Sequence, residues 1–318
     1  MTMIGFVGLG AMGSRMTGRL LDGNTVYGTN RTAAKARALT KRGMIWRDTP
    51  REVAAAAEVI FTMVADDAAL EAVTAGPDGI LAGLAPGKVY VDMSTVSPRA
   101  SRELAVRVSA LGAIMLDAPV SGSIPAAQDG SLAIMVGGPE DAFRAVELLL
   151  GRLGRTVSYA GPNGQGLFLK LAINISLAAQ TLAFSEGMLL AERGGIDPEL
   201  AAKVMTGSAI GSPMLRARAP LILDLPEQAW FDVRLMHKDI RLALETAGEL
   251  HVPVPSASVS NALLTEAEDL GYGRRDIAAF FEVLAQAGGA ADTAADGAAD
   301  EEAGPTQAPV AAASGTAA

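Results

Sequence analysis

From Leu167 to Ala191 apolar residues occupy nearly every face of a prospective helix, and no proline interrupts the run. A helix apolar all round is normally a buried one. Continued to about Arg193 at roughly 1.5 Å per residue, it spans about 40 Å, long enough to serve two domains. Into this surface the sequence sets Lys170 and Asn174, four residues apart and so on one face. A lysine there either snorkels to water or occupies a pocket, where desolvation lowers its pKa. The stretch alone leaves both open. Ile173–Leu190 is the nearest approach to a membrane span, but Asn174, Gln180, Ser185 and Glu186 interrupt it. A core helix and no membrane association are therefore expected.

Upstream, strand-like runs alternate with helical spacing. Met3–Gly8, Thr25–Thr29, Val59–Val64, Lys88–Asp92, Ile114–Asp117, Leu132–Val136 and Thr156–Tyr159 read as strands. Between them lie helical patterns at Ala11–Leu21, Thr32–Arg42 (which Thr32 could cap), Ala68–Val73, Ser97–Leu111 and Pro139–Leu153. The alternation predicts an α/β fold, a doubly wound parallel Rossmann-type sheet over 1–162. The long interdomain helix then fills 163–193, and 194–287 reads as an all-α domain. Its helical patterns are Pro198–Thr206, Met214–Leu223, Asp232–Leu250, Ser256–Leu270 and Arg275–Ala287. From 288 to 318 alanine, glycine, threonine and acids dominate, which predicts a disordered tail.

Composition excludes several classes of function. With no cysteine, disulfides, thiolate nucleophiles and Cys-ligated zinc are out, and a reducing cytoplasm fits. His237 and His251 have no neighbouring ligand pattern, so no metal is expected. The formal charge is −9, but Asp292, Asp296, Asp300, Glu301 and Glu302 all lie in the tail. The body is close to balanced, and no basic stripe supports nucleic-acid binding. The chain starts directly on a strand-like run, so a cytoplasmic rather than secreted protein is expected.

Gly8-Leu9-Gly10-Ala11-Met12-Gly13 is a G-x-G-x-x-G motif that follows the first strand and opens a helix, the context the motif requires. Gly8 permits the tight turn, Gly10 lets backbone approach a pyrophosphate, and Gly13 lets helix and strand pack closely. The helix N-terminus supplies amide donors to phosphates. At the end of the second strand an NAD site places an acid for the ribose hydroxyls. Here Asn30-Arg31-Thr32 stands instead, and a guanidinium with a hydroxyl can hold a 2′-phosphate. NADP(H) is therefore expected over NAD(H); the alternative is that Arg31 only stacks on the adenine face.

With these pieces placed, the chain over about 3–287 resembles the β-hydroxyacid dehydrogenase family. The family includes 3-hydroxyisobutyrate dehydrogenase, tartronate semialdehyde reductase and the glyoxylate/succinic semialdehyde reductases. The blocks that carry the resemblance are Gly5-Phe-Val-Gly-Leu-Gly-Ala-Met-Gly13, Asp117-Ala-Pro-Val-Ser-Gly122, Gly164-x-Gly-x-x-x-Lys170-x-x-x-Asn174 and Lys238-Asp239, in the family's order and spacing. The resemblance implies that Lys170 is the catalytic lysine and that Asn174 helps hold substrate. It implies a carboxylate anchor in Ser121 and Gly122, with Thr95 near both nicotinamide and substrate. Val64, Phe231 and Lys238 match cofactor positions. One departure stands out: where the loop usually continues with a second glycine, this chain has Ser123, which bears on the size and identity of the bound acid.

The implied activity is NADP(H)-dependent interconversion of a short-chain β-hydroxyacid and its aldehyde acid. The expected partner is a small carboxylate-bearing substrate, in a homodimer or homotetramer. A lysine suits this chemistry, because reducing a carbonyl leaves negative charge on oxygen and an ammonium both stabilises that charge and supplies a proton. An imine reductase on the same scaffold is one alternative, although such enzymes commonly replace the lysine. A non-catalytic NADP-binding protein is another. Trp230, Met63 and Met214 read as core packing.

Overall fold

We describe residues 2–288 from a computed structural model. The tail expected to be disordered begins at the last of these and otherwise lies outside the described residues. The chain opens with β1 (Met3–Val7), α1 (Ala11–Leu20), β2 (Thr25–Thr29), α2 (Arg37–Lys41), β3 (Ile45–Trp46), α3 (Pro50–Ala56) and β4 (Val59–Thr62). Next come α4 (Asp67–Thr74), β5 (Val89–Asp92), α5 (Pro98–Ser109), β6 (Ile114–Asp117), β7 (Val120–Ser121) and α6 (Ile124–Asp129). The sheet is completed by β8 (Leu132–Gly137), α7 (Glu140–Leu150) and β9 (Gly154–Gly161).

The strands form one sheet in the order β3-β2-β1-β4-β5-β6-β8-β7, with β9 paired to β8. From β3 to β6 every pairing is parallel. The strand order reverses between β1 and β4, which is where an open α/β sheet forms its binding crevice. Beyond β6 the parallel expectation fails, because β8 runs antiparallel to both β6 and β7. The chain leaves β6 straight into β7 along the same edge, and after α6 it comes back as β8 in the opposite direction, pairing with both. The strands from β4 to β6 are buried along nearly their whole length, as a sheet covered by helices on both faces requires.

The expected helix over Thr32–Arg42 is broken. Ala33–Ala36 is a 3-10 turn, the α-helix proper is only Arg37–Lys41, and Thr32 makes no side-chain cap.

Past the sheet run α8 (Gln165–Arg193), α9 (Pro198–Gly207), α10 (Pro213–Leu223), α11 (Val233–Glu249) and α12 (Pro255–Asp269). A last apolar helical stretch covers Ile277–Gly288, its first residues 3-10. Asp or Ser side chains cap the first turns of α9, α10 and α11. Helix α8 is long and apolar enough to cross a membrane, yet it packs on β8 at one end and on α11 and α12 at the other. It is not buried all round: one stripe, including Leu169 and Leu190, faces outward.

No side chain of α8's own N-terminus caps it. The cap comes from β6 instead, where buried Asp117 accepts from the Gly164 amide at 2.6 Å and the Leu167 amide at 3.2 Å. Burial pushes the Asp117 carboxyl up, and these two amides pull it back down. A carboxylate at a helix N-terminus also meets the positive end of the dipole. This contact fixes the long helix to the sheet. Replacing Asp117 with Ala strands two buried amides, each worth roughly 1–3 kcal/mol, so urea unfolding is expected to show a loss of about 2–6 kcal/mol.

Candidate active site

The turn after β1 is built around Gly8, whose φ of +96° lies in the left-handed region. A Cβ at Gly13 would collide with the Gly8 carbonyl, so that glycine permits the approach of α1 to the turn. Asn30 ties this turn to the end of β2, its Oδ1 accepting from Leu9 N at 2.9 Å and its Nδ2 donating to Thr32 O at 3.0 Å. The Leu9 side chain itself is buried in the core.

At Gly10 the situation differs from that at Gly13. A Cβ there would meet nothing within 4 Å, and α1 starts with no side-chain cap and no acid in its first turn. That is an open, amide-lined cradle, and it fits the pyrophosphate of a dinucleotide. Arg31 and Thr32 are exposed beside it, and Arg31 makes no hydrogen bond or ion pair among the described residues.

From this turn a cavity of about 650 Å³ runs between the sheet's carboxyl edge and the helical half. Its sheet-side wall holds Ala11 and Met12 of α1, Val64 after β4, Thr95 after β5, and the Ser121-Gly122-Ser123 loop. Across from these stand Lys170 of α8, Phe231 and Lys238. Ten of the sequence-predicted site residues thus share one cavity. Met63, Met214 and Trp230, read from sequence as core packing, line it too.

Lys170 is 8% exposed. Its Nζ donates to Asn174 Oδ1 at 2.9 Å, and Asn174 Nδ2 donates to Asp239 Oδ2 at 2.6 Å. Burial brings the Lys170 ammonium down to about 8, with Asp239 pulling it up and Lys238 pushing it further down. The pocketed alternative is the one observed, not the snorkelling one. Asn174 is fully buried and off the cavity wall, both ends of its amide engaged. The sequence reading did not join Asp239 to it, because the two lie 65 residues apart.

Lys238 Nζ lies 2.7 Å from Asp239 Oδ1 and also donates to the Thr95 carbonyl, tying α11 to the loop after β5. That loop is held from below by buried Asp92, whose Oδ1 accepts from Thr62 Oγ1 at 2.6 Å and Ser94 Oγ at 2.7 Å. Ser94 Oγ in turn accepts from Val64 N at 2.9 Å, so one carboxylate sets both loops that carry Val64 and Thr95. On the facing loop Ser123 starts α6 with extended backbone (φ −98°, ψ −167°) and makes no side-chain cap. Serine therefore stands there without strain, beside Gly122 at φ +124°.

Residues 3–161 match the family described as the NAD binding domain of 6-phosphogluconate dehydrogenase. Residues 164–284 match the NAD-binding domain of NADP-dependent 3-hydroxyisobutyrate dehydrogenase. An uncharacterised oxidoreductase of Bacillus subtilis is 36% identical, over 82% of this chain and 91% of that protein. The chloroplastic glyoxylate/succinic semialdehyde reductase 2 of Arabidopsis thaliana is 33% identical, over 88% of this chain and 79% of its own. The chain belongs to the β-hydroxyacid dehydrogenase family. A crystal structure of 3-hydroxyisobutyrate dehydrogenase from Salmonella typhimurium, 29% identical, superposes with a TM-score of 0.82 over 89% of this chain and all of that one. Both family models describe domains that bind a nicotinamide dinucleotide, for which the Gly-rich turn is suited, and the relatives named above are oxidoreductases.

The two glycines of that turn separate folding from binding. Gly10→Ala, with backbone that any residue adopts (φ −73°), is expected to keep the thermal midpoint. It should weaken dinucleotide binding by about tenfold or more, roughly 1.4 kcal/mol, in a fluorescence titration. Gly13→Ala is expected instead to lose about 1–3 kcal/mol of stability through overpacking.

Proposed function

We propose that the chain is an NADP(H)-dependent reductase and dehydrogenase that interconverts a short-chain β-hydroxyacid, or a related hydroxyacid, and its aldehyde acid, with Lys170 as general acid and base. The observation that carries this is the buried Lys170 ammonium, lowered to about 8, on the wall of the cavity that the Gly-rich turn and the Ser121–Gly122 loop also enter. The Ser121 hydroxyl and the loop amides are suited to a carboxylate. With the acid held there, the carbonyl is presented to Lys170.

A bound nicotinamide dinucleotide supplies or accepts the hydride. Lys170 Nζ donates a proton to the carbonyl oxygen as it becomes a hydroxyl, and in the other direction the neutral amine takes that proton back. Asn174, anchored on Asp239, aims Nζ and leaves its remaining protons for the cavity. The negative Asp239 favours the charged form, so burial and this carboxylate together set the lysine close to neutral pH.

Related proteins carry the names 3-hydroxyisobutyrate dehydrogenase, 2-hydroxy-3-oxopropionate reductase and 2-(hydroxymethyl)glutarate dehydrogenase, and each name contains a carboxylate-bearing substrate. A lysine in the wall supports carbonyl over imine reduction. A non-catalytic role is the outcome if no aldehyde acid is turned over. The apolar stripe left outside on α8 and α9, with Leu190, Leu200 and Val204, suits an assembly of two or four copies; sedimentation showing a monomer would remove that reading.

Lys170→Ala is expected to lower turnover by about 10²–10⁴ while leaving NADPH affinity near that of the parent. Because the lysine pKa is depressed to about 8, carbonyl reduction, which needs the ammonium, should fall as pH rises through that value. Alcohol oxidation, which needs the free amine, should rise through it. Asp239→Asn removes the partner that favours the charge and should move both inflections to lower pH. In the same assays Arg31→Ala should raise KM for NADPH and not for NADH; tighter binding of NADH by the parent would overturn the NADP assignment.

A further inference from the structure

Arg218 is the charged group on the cavity wall that neither the Gly-rich turn nor the lysine network uses. Helix α10 turns Pro213, Met214, Ala217 and Arg218 toward the cavity, a pattern that defines one helical face. The Arg218 side chain is only 5% exposed, and its Nη1 lies 2.6 Å from Oδ1 of the fully buried Asp276. A buried ion pair is tolerated only where its remaining hydrogen-bonding positions are filled.

On the carboxylate side they are filled. Asp276 Oδ2 accepts from Trp230 N at 2.9 Å and Phe231 N at 3.0 Å, and Oδ1 also accepts from Ala278 N at 3.1 Å. On the guanidinium side they are not. The bond from Nη1 is the one hydrogen bond Arg218 makes to the described residues, and neither Nε nor Nη2 is among the polar atoms sealed off without a partner. Three backbone amides share Asp276 with the guanidinium, so that carboxylate does not compensate it alone. What is left open is the Nε–Nη2 edge, two parallel N–H groups with the spacing of a carboxylate. Among the other charged groups on the wall, Lys238 and Asp239 are paired with each other, and Asp232 caps α11 through the Leu235 amide.

We infer that Arg218 is a specificity-determining residue whose free edge takes a second carboxylate of the substrate, so that the preferred acids are dicarboxylic. The inference rests on the reading of the cavity as an acid-binding site, with the first carboxylate on the Ser121–Gly122 loop.

The test is a calorimetric titration of the NADP⁺-loaded protein with glutarate and with valerate, five-carbon acids that differ in the second carboxylate. The parent is expected to bind glutarate at least about tenfold more tightly. Arg218→Lys keeps one charged donor for Asp276 and loses the planar edge. It should reduce that preference below about threefold and leave valerate and NADP⁺ affinity unchanged. A parent protein without the preference overturns the inference whether or not the variant folds. So does a variant that loses both acids equally, or that loses NADP⁺ instead. Turnover is not part of this measurement, so an absence of activity on aldehyde acids would count against the proposed reaction and not against the role of Arg218.

Discussion

The bond on which the cavity depends is the one between the Asp117 carboxylate and the amides of Gly164 and Leu167. It joins the end of β6 to the start of a 29-residue helix that has no cap of its own. Lys170 lies three residues beyond Leu167, so its position over the carboxyl edge of the sheet is set within one turn of that anchor. Helix α8 then continues as a rigid rod into the helical half, where α11 and α12 pack on it. The sheet and the helical domain are therefore registered to each other at the same place where the lysine emerges. A flexible link at Gly164 would separate them and leave Nζ without a defined direction.

Around the lysine two electrostatic effects oppose each other. Removing an ammonium from water favours the neutral amine, and the nearby Asp239 favours the cation. Burial is the larger effect, but not by enough to expel the charge. An isolated ion in an apolar site would be far more expensive. Asn174 matters to this balance because it is neutral: it passes a hydrogen bond from Nζ to Asp239 Oδ2 without placing the carboxylate directly on the lysine. A direct ion pair would hold the proton too strongly for exchange near neutral pH. The four-residue spacing of Lys170 and Asn174 on one helix is what makes this relay possible.

What was legible in the sequence follows from the range of the interactions involved. The Gly-rich turn, the parallel strands β1, β2, β4, β5 and β6 and the length of α8 are written in local spacing, and the structure has them. The two-residue strands β3 and β7 are too short to show a period, and the reversed direction of β8 is decided by its partners. The Thr32 cap is absent: the chain after it tightens into the 3-10 turn Ala33–Ala36, to which the Thr32 side chain makes no hydrogen bond. Among site residues, those within short motifs were visible, including Lys170 and the Ser121–Ser123 loop. Arg218 and Asp276 were not: they meet across 58 residues, and neither stretch differs locally from a solvated one.

The buried charged residues point the same way as the motifs. Among the described residues these are Asp92, Asp117, Lys170, Arg218, Asp239 and Asp276. Charge is costly to bury, and a core assembled for stability alone does better with apolar groups of the same size. Here each one bears on the cavity. Asp92 sets the loops after β4 and β5, and Asp117 sets the lysine-bearing helix. Asp239 holds Asn174 and Lys238, and Asp276 holds the Trp230–Phe231 backbone together with Arg218. Four carboxylates thus fix four different segments of one wall, each through hydrogen bonds with fewer degrees of freedom than apolar packing would leave. A site that must place a proton donor against a small acid needs that directional control, and the desolvation these groups bear is the energetic trace of it.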